Sequence, residues 1–265
     1  MKRYIIKLNL ARNCLRYIIK VYNVKEIFMP YYICPTIISA VRKENCNIRF
    51  YHIDDNFFPS ASFDKNSYIL YPNYFGICAG NVLKLSEQYP NLIIDNAHNF
   101  YMRDCGLASF NSLRKFFNVK NGAYLNISQK LNNNFEYDNE YYEPFENMSY
   151  DEMVENENKL NVQSIKFMSQ ISEKYFSNTD LKCEKDKRIR VFYKFHERFK
   201  DKNKLKINLS EDDVPFIYPY LTEDDSQAEM LEKEGHLILR YWNYLPDNFP
   251  EYKFYRYLIP IPLKH

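Results

Sequence analysis

The sequence predicts an α/β fold, with a mostly parallel β-sheet covered by helices on both faces and a smaller α+β domain after it. Within the first 125 residues, short apolar runs alternate with segments of helical periodicity, as in sheets whose strands are joined by helices. The length of 265 residues is sufficient for one large and one small domain. Between the two regions lies an acidic, asparagine-rich stretch, 132–161, with few aliphatic residues.

The elements of the first region follow from local patterns. Leu15, Ile18, Ile19 and Tyr22 recur at helical spacing, and Pro35 stands where the first turn of a second helix is expected. The predicted helices are 15–22, 36–41 and 82–89. The predicted strands are 26–29, 48–53, 68–71, 92–94 and 122–125. Ligands of such sheets bind beyond the carboxyl ends of the strands.

The second region is predicted to form the smaller α+β domain. Its predicted helices are 164–176, 185–199 and 227–234, and its predicted strands are 214–220 and 236–239. Gly235 follows the last helix at a position that suits a C-cap. We place the large domain at 1–145 and the linker with the small domain at 146–265, and we interpret 132–161 as a connector or a mobile loop that contains a helix.

Composition argues against several classes of function. A net charge of +2 is too balanced to indicate a nucleic-acid-binding protein or one that binds an anionic membrane. No stretch approaches the ~20 apolar residues that a membrane-spanning helix requires, and the N-terminus lacks the cleavage site of a signal peptide. The six cysteines occur singly, without metal-ligand spacing, which predicts free thiols in a reducing, cytoplasmic compartment.

One segment, 92–125, combines residues that point to a specific chemistry. An apolar run ends in Asp95, and Lys115 follows on the next strand or turn. Pyridoxal phosphate chemistry requires an acid that keeps the pyridine nitrogen protonated and a lysine that forms the Schiff base. On these residues alone, the commoner interpretation is an aspartate that caps a turn and a solvated lysine.

Several motifs in order resemble a known family. They are ARNCL, VKEIFMPYYICPTIISAV, FYHIDDNF, NYFG, LIIDNAH, SLRKFFNVKNGAYL, VPFIYPYL, GHLILRYW and YLIPIPL. Together they resemble a divergent branch of the DegT/DnrJ/EryC1/StrS sugar aminotransferases over nearly the whole chain. The resemblance implies the pyridoxal-phosphate-dependent transferase fold type I, in which a three-layer sandwich precedes the small C-terminal domain. It also implies pyridoxal 5′-phosphate as the cofactor.

The resemblance assigns roles to particular residues. Lys115 matches the Schiff-base lysine, which also moves a proton between substrate and cofactor, and Asp95 matches the acid that pairs with the pyridinium nitrogen. The other residues that match cofactor-binding positions are Ala11, Arg12, Asn13, Tyr32, Asn73, His98 and Ser112. Among these, Ser112 and the turn 11–13 correspond to the phosphate site, where backbone N–H groups open a helix onto the anion. Arg114 either contacts substrate or forms a structural pair.

Two departures from the family pattern affect the functional prediction. Cys34 stands where a large aromatic residue usually stacks on the cofactor ring, so Tyr32 or His98 would have to stack instead. The segment before Ala11 is shorter than in the family, and the usual connector motif is not recognisable in 132–161. These departures bring catalytic turnover into question and motivate the alternative of a non-catalytic binding or scaffold protein.

The function implied by the resemblance is an aminotransferase. It would move an amino group from an amino acid, with glutamate expected, to a keto-sugar nucleotide or related precursor of surface polysaccharide. The family also implies a cytoplasmic homodimer. A pyridoxal-phosphate sugar dehydratase is a further alternative, which Lys115 disfavours because dehydratase relatives carry histidine there.

Overall fold

A seven-stranded sheet forms the centre of the first region in the computed structural model, which describes residues 2–140 and 150–263. Its strands are β1 (Tyr4–Leu8), β2 (Glu26–Pro30), β3 (Asn47–Tyr51), β4 (Ile69–Pro72), β5 (Leu92–Asn96), β6 (Ala108–Asn111) and β7 (Ala123–Ile127). The strand order is β1-β7-β6-β5-β4-β2-β3, and only β7 runs antiparallel to its neighbours. The carboxyl ends of the other strands therefore meet at one edge of the sheet, which is where ligands of such sheets bind.

Helices cover both faces of this sheet. The helices of the described residues are α1 (Ala11–Tyr22), α2 (Pro35–Lys43), α3 (Ala79–Gln88), α4 (Tyr150–Asn161), α5 (Gln170–Ser177), α6 (Leu181–Phe199), α7 (Ser226–Lys233) and α8 (Tyr252–Tyr257). On one face, α1 and α2 contribute Leu15 and Ile37 to the core. On the other face, Val82 of α3 and Phe254 of α8 pack together. The predicted three-layer arrangement is confirmed.

The second region contains a small antiparallel sheet. Strands β8 (Ile217–Leu221) and β9 (Leu258–Pro262) pair along their whole length, and α6 and α7 pack against them. Their contact is apolar, with Phe192 from α6 and Leu231 from α7 fully buried. This arrangement confirms a small C-terminal α+β unit. None of the described helices is long and apolar enough to cross a membrane.

The predicted strand at 236–239 is wrong, because these residues form no regular structure and the partner of β8 is β9. The alternation of the segment is not matched by burial, since Leu237 is 43% exposed. Arg240, at its end, donates hydrogen bonds to the carbonyl oxygens of Arg256 and Leu258 instead. These bonds hold the segment beside α8 as an irregular loop.

The boundary of the predicted helix at 164–176 also differs from the structure, in which α5 begins only at Gln170. Residues before it extend the edge of the large sheet, because Asn9 N donates to Lys166 O and Met168 N donates to Lys7 O. Ser169 then caps α5 by accepting a hydrogen bond from Ser172 N at 3.1 Å.

The linker prediction is met only in part. The helix expected within 132–161 is α4, whereas 141–149 lies outside the described residues, together with the predicted domain boundary at 145. Strands β1 and β6 were not among the predicted strands.

A tight turn after β4 brings the two regions of the chain together at Gly76. The backbone φ of Gly76 is +75°, and an added Cβ would lie 2.2 Å from His98 O and 2.6 Å from Val214 O. We therefore expect Gly76→Ala to lower the free energy of unfolding by at least about 2 kcal/mol, since strained φ and close backbone contact add. Urea denaturation followed by circular dichroism measures this change.

Gly80→Ala is the matched control, because Gly80 is exposed in the first turn of α3 and an added Cβ would meet nothing within 4 Å. This substitution is expected to raise the free energy of unfolding by roughly 0.5–1 kcal/mol through helix propensity. Equal effects of the two substitutions would show that the Gly76 turn is not a point of close packing.

Candidate active site

Asp95 and Lys115 lie near each other at the carboxyl edge of the sheet. Asp95 is the fourth residue of β5, and Lys115 ends a 3-10 turn, Leu113–Lys115, that follows β6. Burial lowers the pKa of the Lys115 amine, while the nearby Cys34 and Asp95 raise it. Burial also raises the pKa of Asp95, against the hydrogen bond from Ala97 and the charge of Lys115. The structure thus brings the predicted pair together.

The Asp95 carboxylate has one oxygen free to meet a ligand. Oδ1 accepts a hydrogen bond from Ala97 N at 2.8 Å, and no described residue bonds the other oxygen. Asp95 itself is 8% exposed. A buried carboxylate with an unused oxygen is stabilised by a cationic N–H donor, which is what a protonated pyridine nitrogen offers.

Among the described residues, Lys115 has no partner of opposite charge within bonding distance. No described residue forms a hydrogen bond or ion pair with its amine, and Nζ lies 5.4 Å from the ring centroid of Phe216. Lys115 is partly buried and its pKa is lowered, so its amine loses its proton at a lower pH than the amine of an exposed lysine does. The neutral amine is the nucleophile. These properties fit a lysine that attacks an aldehyde.

His98 belongs to an aromatic cluster that the second region supplies. Its ring is stacked on Phe216, with centroids 5.0 Å apart, and lies nearly parallel to Trp242 at 6.1 Å. Burial and the charge of Lys115 hold the pKa of His98 well below its ordinary value. His98 is therefore neutral at pH 7, and its predicted place beside a cofactor ring stays a prediction.

Tyr32 lies in the same cluster. Its ring meets Trp242 edge-on at 4.5 Å and is stacked on Tyr74 at 5.9 Å. The side chain is fully buried, and its hydroxyl bonds none of the described residues. These contacts account for Tyr32 as a packing residue, whereas its predicted role in stacking on a cofactor stays a prediction.

The start of α1 presents open backbone donors to the same edge of the sheet. Leu10 precedes the helix in an extended conformation, without a side-chain cap. The N–H groups of Ala11 and Arg12 bond none of the described residues, so they are available to an anion. Ser112 is 8% exposed, and its hydroxyl likewise bonds none of the described residues. These donors fit the phosphate site that the resemblance implies.

Two of the predicted cofactor-binding residues are held by structural hydrogen bonds. The Asn13 amide donates to Asn9 Oδ1 at 3.0 Å and to Ser164 O at 2.7 Å. The Asn73 amide donates to Asn96 Oδ1 at 3.1 Å, and Asn73 Oδ1 accepts from Cys78 N at 3.1 Å. Their side chains order the loops around the site, and direct contact with a cofactor stays a prediction.

Two residues of the site were missed in the sequence. Phe216 lies beneath the Lys115 amine, and Glu157 of α4 forms an ion pair with Arg12. The sequence places both far along the chain from Asp95, in segments interpreted as a linker and as a strand of the small domain. The four-residue spacing of Glu157 and Asn161, both of which bond Arg12, was the available signal.

Solved structures with a similar fold include aminotransferases. No protein-family model and no curated protein matches the sequence. A DegT DnrJ EryC1 StrS aminotransferase from Brucella abortus superposes with a TM-score of 0.65 at 12% identity, covering 99% of this chain and 81% of that protein. PseC from Helicobacter pylori, an aminotransferase involved in the biosynthesis of pseudoaminic acid, gives 0.65 at 16% identity, over 98% and 81% of the two chains.

A third structure was determined with a cofactor. NtdA from Bacillus subtilis with bound cofactor PMP gives a TM-score of 0.62 at 14% identity, over 99% of this chain and 69% of that protein. This chain has the fold of these three proteins, of which the first two are aminotransferases. The resemblance noted in the sequence is thereby confirmed at the level of the fold.

Proposed function

We propose that this protein is a pyridoxal-phosphate-dependent sugar aminotransferase. The observation that carries the proposal is the pair at the carboxyl edge of the sheet: buried Asp95 with an unused oxygen, and Lys115 without a counter-ion within bonding distance among the described residues. Structural ion pairs do not have this arrangement, because there each charge bonds the other directly. The similarity in fold to sugar aminotransferases supports the same function.

Each residue of the site has a task in this proposal. Asp95 would keep the ring nitrogen protonated through its free oxygen, and Lys115 would supply the amine that bonds the aldehyde and the base that moves a proton. Ser112 and the N–H groups of Ala11 and Arg12 hold the phosphate. When bound, the cofactor supplies an electron sink for negative charge on the substrate carbon.

An aromatic cluster lies at this edge of the sheet. Phe216 lies 5.4 Å from the Lys115 amine, His98 is stacked on Phe216 and Trp242 on His98, and burial lowers the pKa of His98. Exclusion of water by these rings would strengthen the interaction between Asp95 and a protonated ring nitrogen and favour the neutral amine of Lys115.

The finer assignment follows the resemblance. We propose an amino acid donor, glutamate in the first instance, and a keto-sugar nucleotide acceptor from surface polysaccharide synthesis. We also propose a cytoplasmic homodimer, and the six free cysteines suit a reducing compartment. The predicted domains, 1–145 and 146–265, would then bind the cofactor and close the substrate pocket, respectively.

A cofactor titration followed by a single turnover tests the function. Purified protein with pyridoxal phosphate should develop a saturable absorbance band near the visible edge, and glutamate should remove the band with release of 2-oxoglutarate. Labelled nitrogen from glutamate should then appear in an amino sugar nucleotide. Absence of saturable binding would contradict the proposal and favour a scaffold protein, and deoxygenation without amino transfer would indicate a dehydratase.

A further inference from the structure

A carboxylate of this chain, that of Glu157, bonds the guanidinium of Arg12. The Arg12 guanidinium forms an ion pair with Glu157 through Nη2 and donates from Nη1 to Asn161 Oδ1 at 2.8 Å. The contact is well shielded from solvent, because the Arg12 side chain is 11% exposed and that of Glu157 is 31% exposed. Both partners come from α4, the helix within the predicted linker, so this contact joins α4 to the first turn of α1.

Further positive charges face the same carboxylate. Arg114 Nη1 lies 3.9 Å from Glu157 Oε1. Burial lowers the pKa of Lys115, Glu157 raises it, and Arg12 lowers it, so both charges of the ion pair act on the lysine amine. Glu157 therefore lies where several cations converge, and a carboxylate in such a place resembles a bound anion.

Donors at the start of α1 and at Ser112 are suited to an anion with more oxygens than a carboxylate. The N–H groups of Ala11 and Arg12 and the hydroxyl of Ser112 bond none of the described residues, although Ser112 is 8% exposed. A phosphate carries about two negative charges and three acceptor oxygens, so it can bond these donors and Arg12 together. Among the described residues, the Glu157 carboxylate forms ion pairs with Arg12 and Arg114.

We propose that Glu157 is an internal competitor for the phosphate that binds at Arg12. Its carboxylate compensates the charge of Arg12 while the phosphate is absent, and it gives way when the phosphate binds. The inference rests on the proposed function, in which this phosphate belongs to the cofactor. Pyridoxal phosphate then exchanges one ion pair for a better one, and its affinity is lowered by the energy of the Arg12–Glu157 contact.

Inorganic phosphate is the first probe, because its binding requires no chemistry at Lys115. Isothermal titration should show that Glu157→Gln binds phosphate about tenfold more tightly than the wild type, since charge-assisted hydrogen bonds are strong where solvent is excluded. The matched control is Glu155→Gln on the same helix, where Glu155 pairs with Lys159 and its side chain is 68% exposed. This control should bind phosphate as the wild type does. Unchanged or weaker binding by Glu157→Gln would overturn the proposal.

A comparison of pyridoxal phosphate with pyridoxal, which lacks the phosphate, separates this inference from the proposed function. Removal of the Glu157 charge also affects Lys115, and that effect is common to both ligands. The ratio of the two dissociation constants should therefore change about tenfold in favour of pyridoxal phosphate in Glu157→Gln. An unchanged ratio with normal cofactor binding overturns only the proposal that Glu157 competes with the phosphate. Tighter phosphate binding without any lysine-bound cofactor overturns only the proposed function.

Discussion

Replacing Lys115 with alanine is expected to abolish the absorbance band of the lysine-bound cofactor and all amino transfer. No described residue offers a second amine beside Asp95, so the methyl group of alanine leaves nothing to attack the aldehyde. We expect amino transfer to fall by at least about 10⁴-fold, as for loss of a catalytic nucleophile and base together. Absorbance titration with pyridoxal phosphate and mass spectrometry after borohydride reduction measure the two effects.

Lys130→Ala provides the control, because Lys130 is an exposed lysine whose ammonium lies over the ring of Tyr4. Its band and its turnover should match those of the wild type. The alanine variant at 115 should also stay folded, since a partly buried amine with a lowered pKa contributes no ion pair to the folded state. A persistent band in Lys115→Ala would assign the attachment to another lysine and contradict the site.

Local sequence patterns predicted the strands of the large sheet wherever burial and hydrophobic pattern coincide. Strands β4 and β5 are buried throughout, and both appear in the sequence as continuous apolar runs. Strand β1 was not predicted, and its burial is mixed, with Ile5 62% exposed. The prediction for 236–239 was wrong for the opposite reason. Its alternating pattern resembles a strand, but Arg240 at its end bonds the carbonyl oxygens of Arg256 and Leu258 and no strand forms.

Only the site residues that lie near one another in the sequence could be predicted from it. Asp95 lies at the carboxyl end of β5 and Lys115 follows the adjacent β6, so strand ends and topology bring them together. Phe216 and Glu157 reach the site through tertiary contacts; the spacing of Glu157 and Asn161 indicates one helix face but not that Arg12 is its partner. The start of α1 was recognised through resemblance, but the pairing of Arg12 with α4 depends on how the linker folds back.

Asp95→Asn is expected to separate cofactor attachment from amino transfer. Asparagine can still accept the hydrogen bond from Ala97, but without a negative charge it cannot hold a proton on the ring nitrogen. Amino transfer should therefore fall on the order of 10²- to 10³-fold, the usual loss for one electrostatic contact of this kind. Single-turnover kinetics with glutamate measures this loss.

The same substitution should favour attachment of the cofactor to Lys115 at lower pH, although it lowers amino transfer. Asp95 raises the pKa of Lys115, so its removal lowers that pKa further and leaves the amine neutral at lower pH. In a pH titration, the midpoint for formation of the lysine-bound band should thus move to lower pH in Asp95→Asn, while turnover is lost.

Asp55→Asn is the control, because Asp55 is 82% exposed in a surface ion pair with Lys253 and should change neither quantity. The folded state should tolerate Asp95→Asn, since burial already raises the pKa of this carboxyl and disfavours its charge. Full amino transfer by this variant would show that Asp95 does not contact the ring nitrogen, whereas loss of the band alone would assign it to the binding of the cofactor.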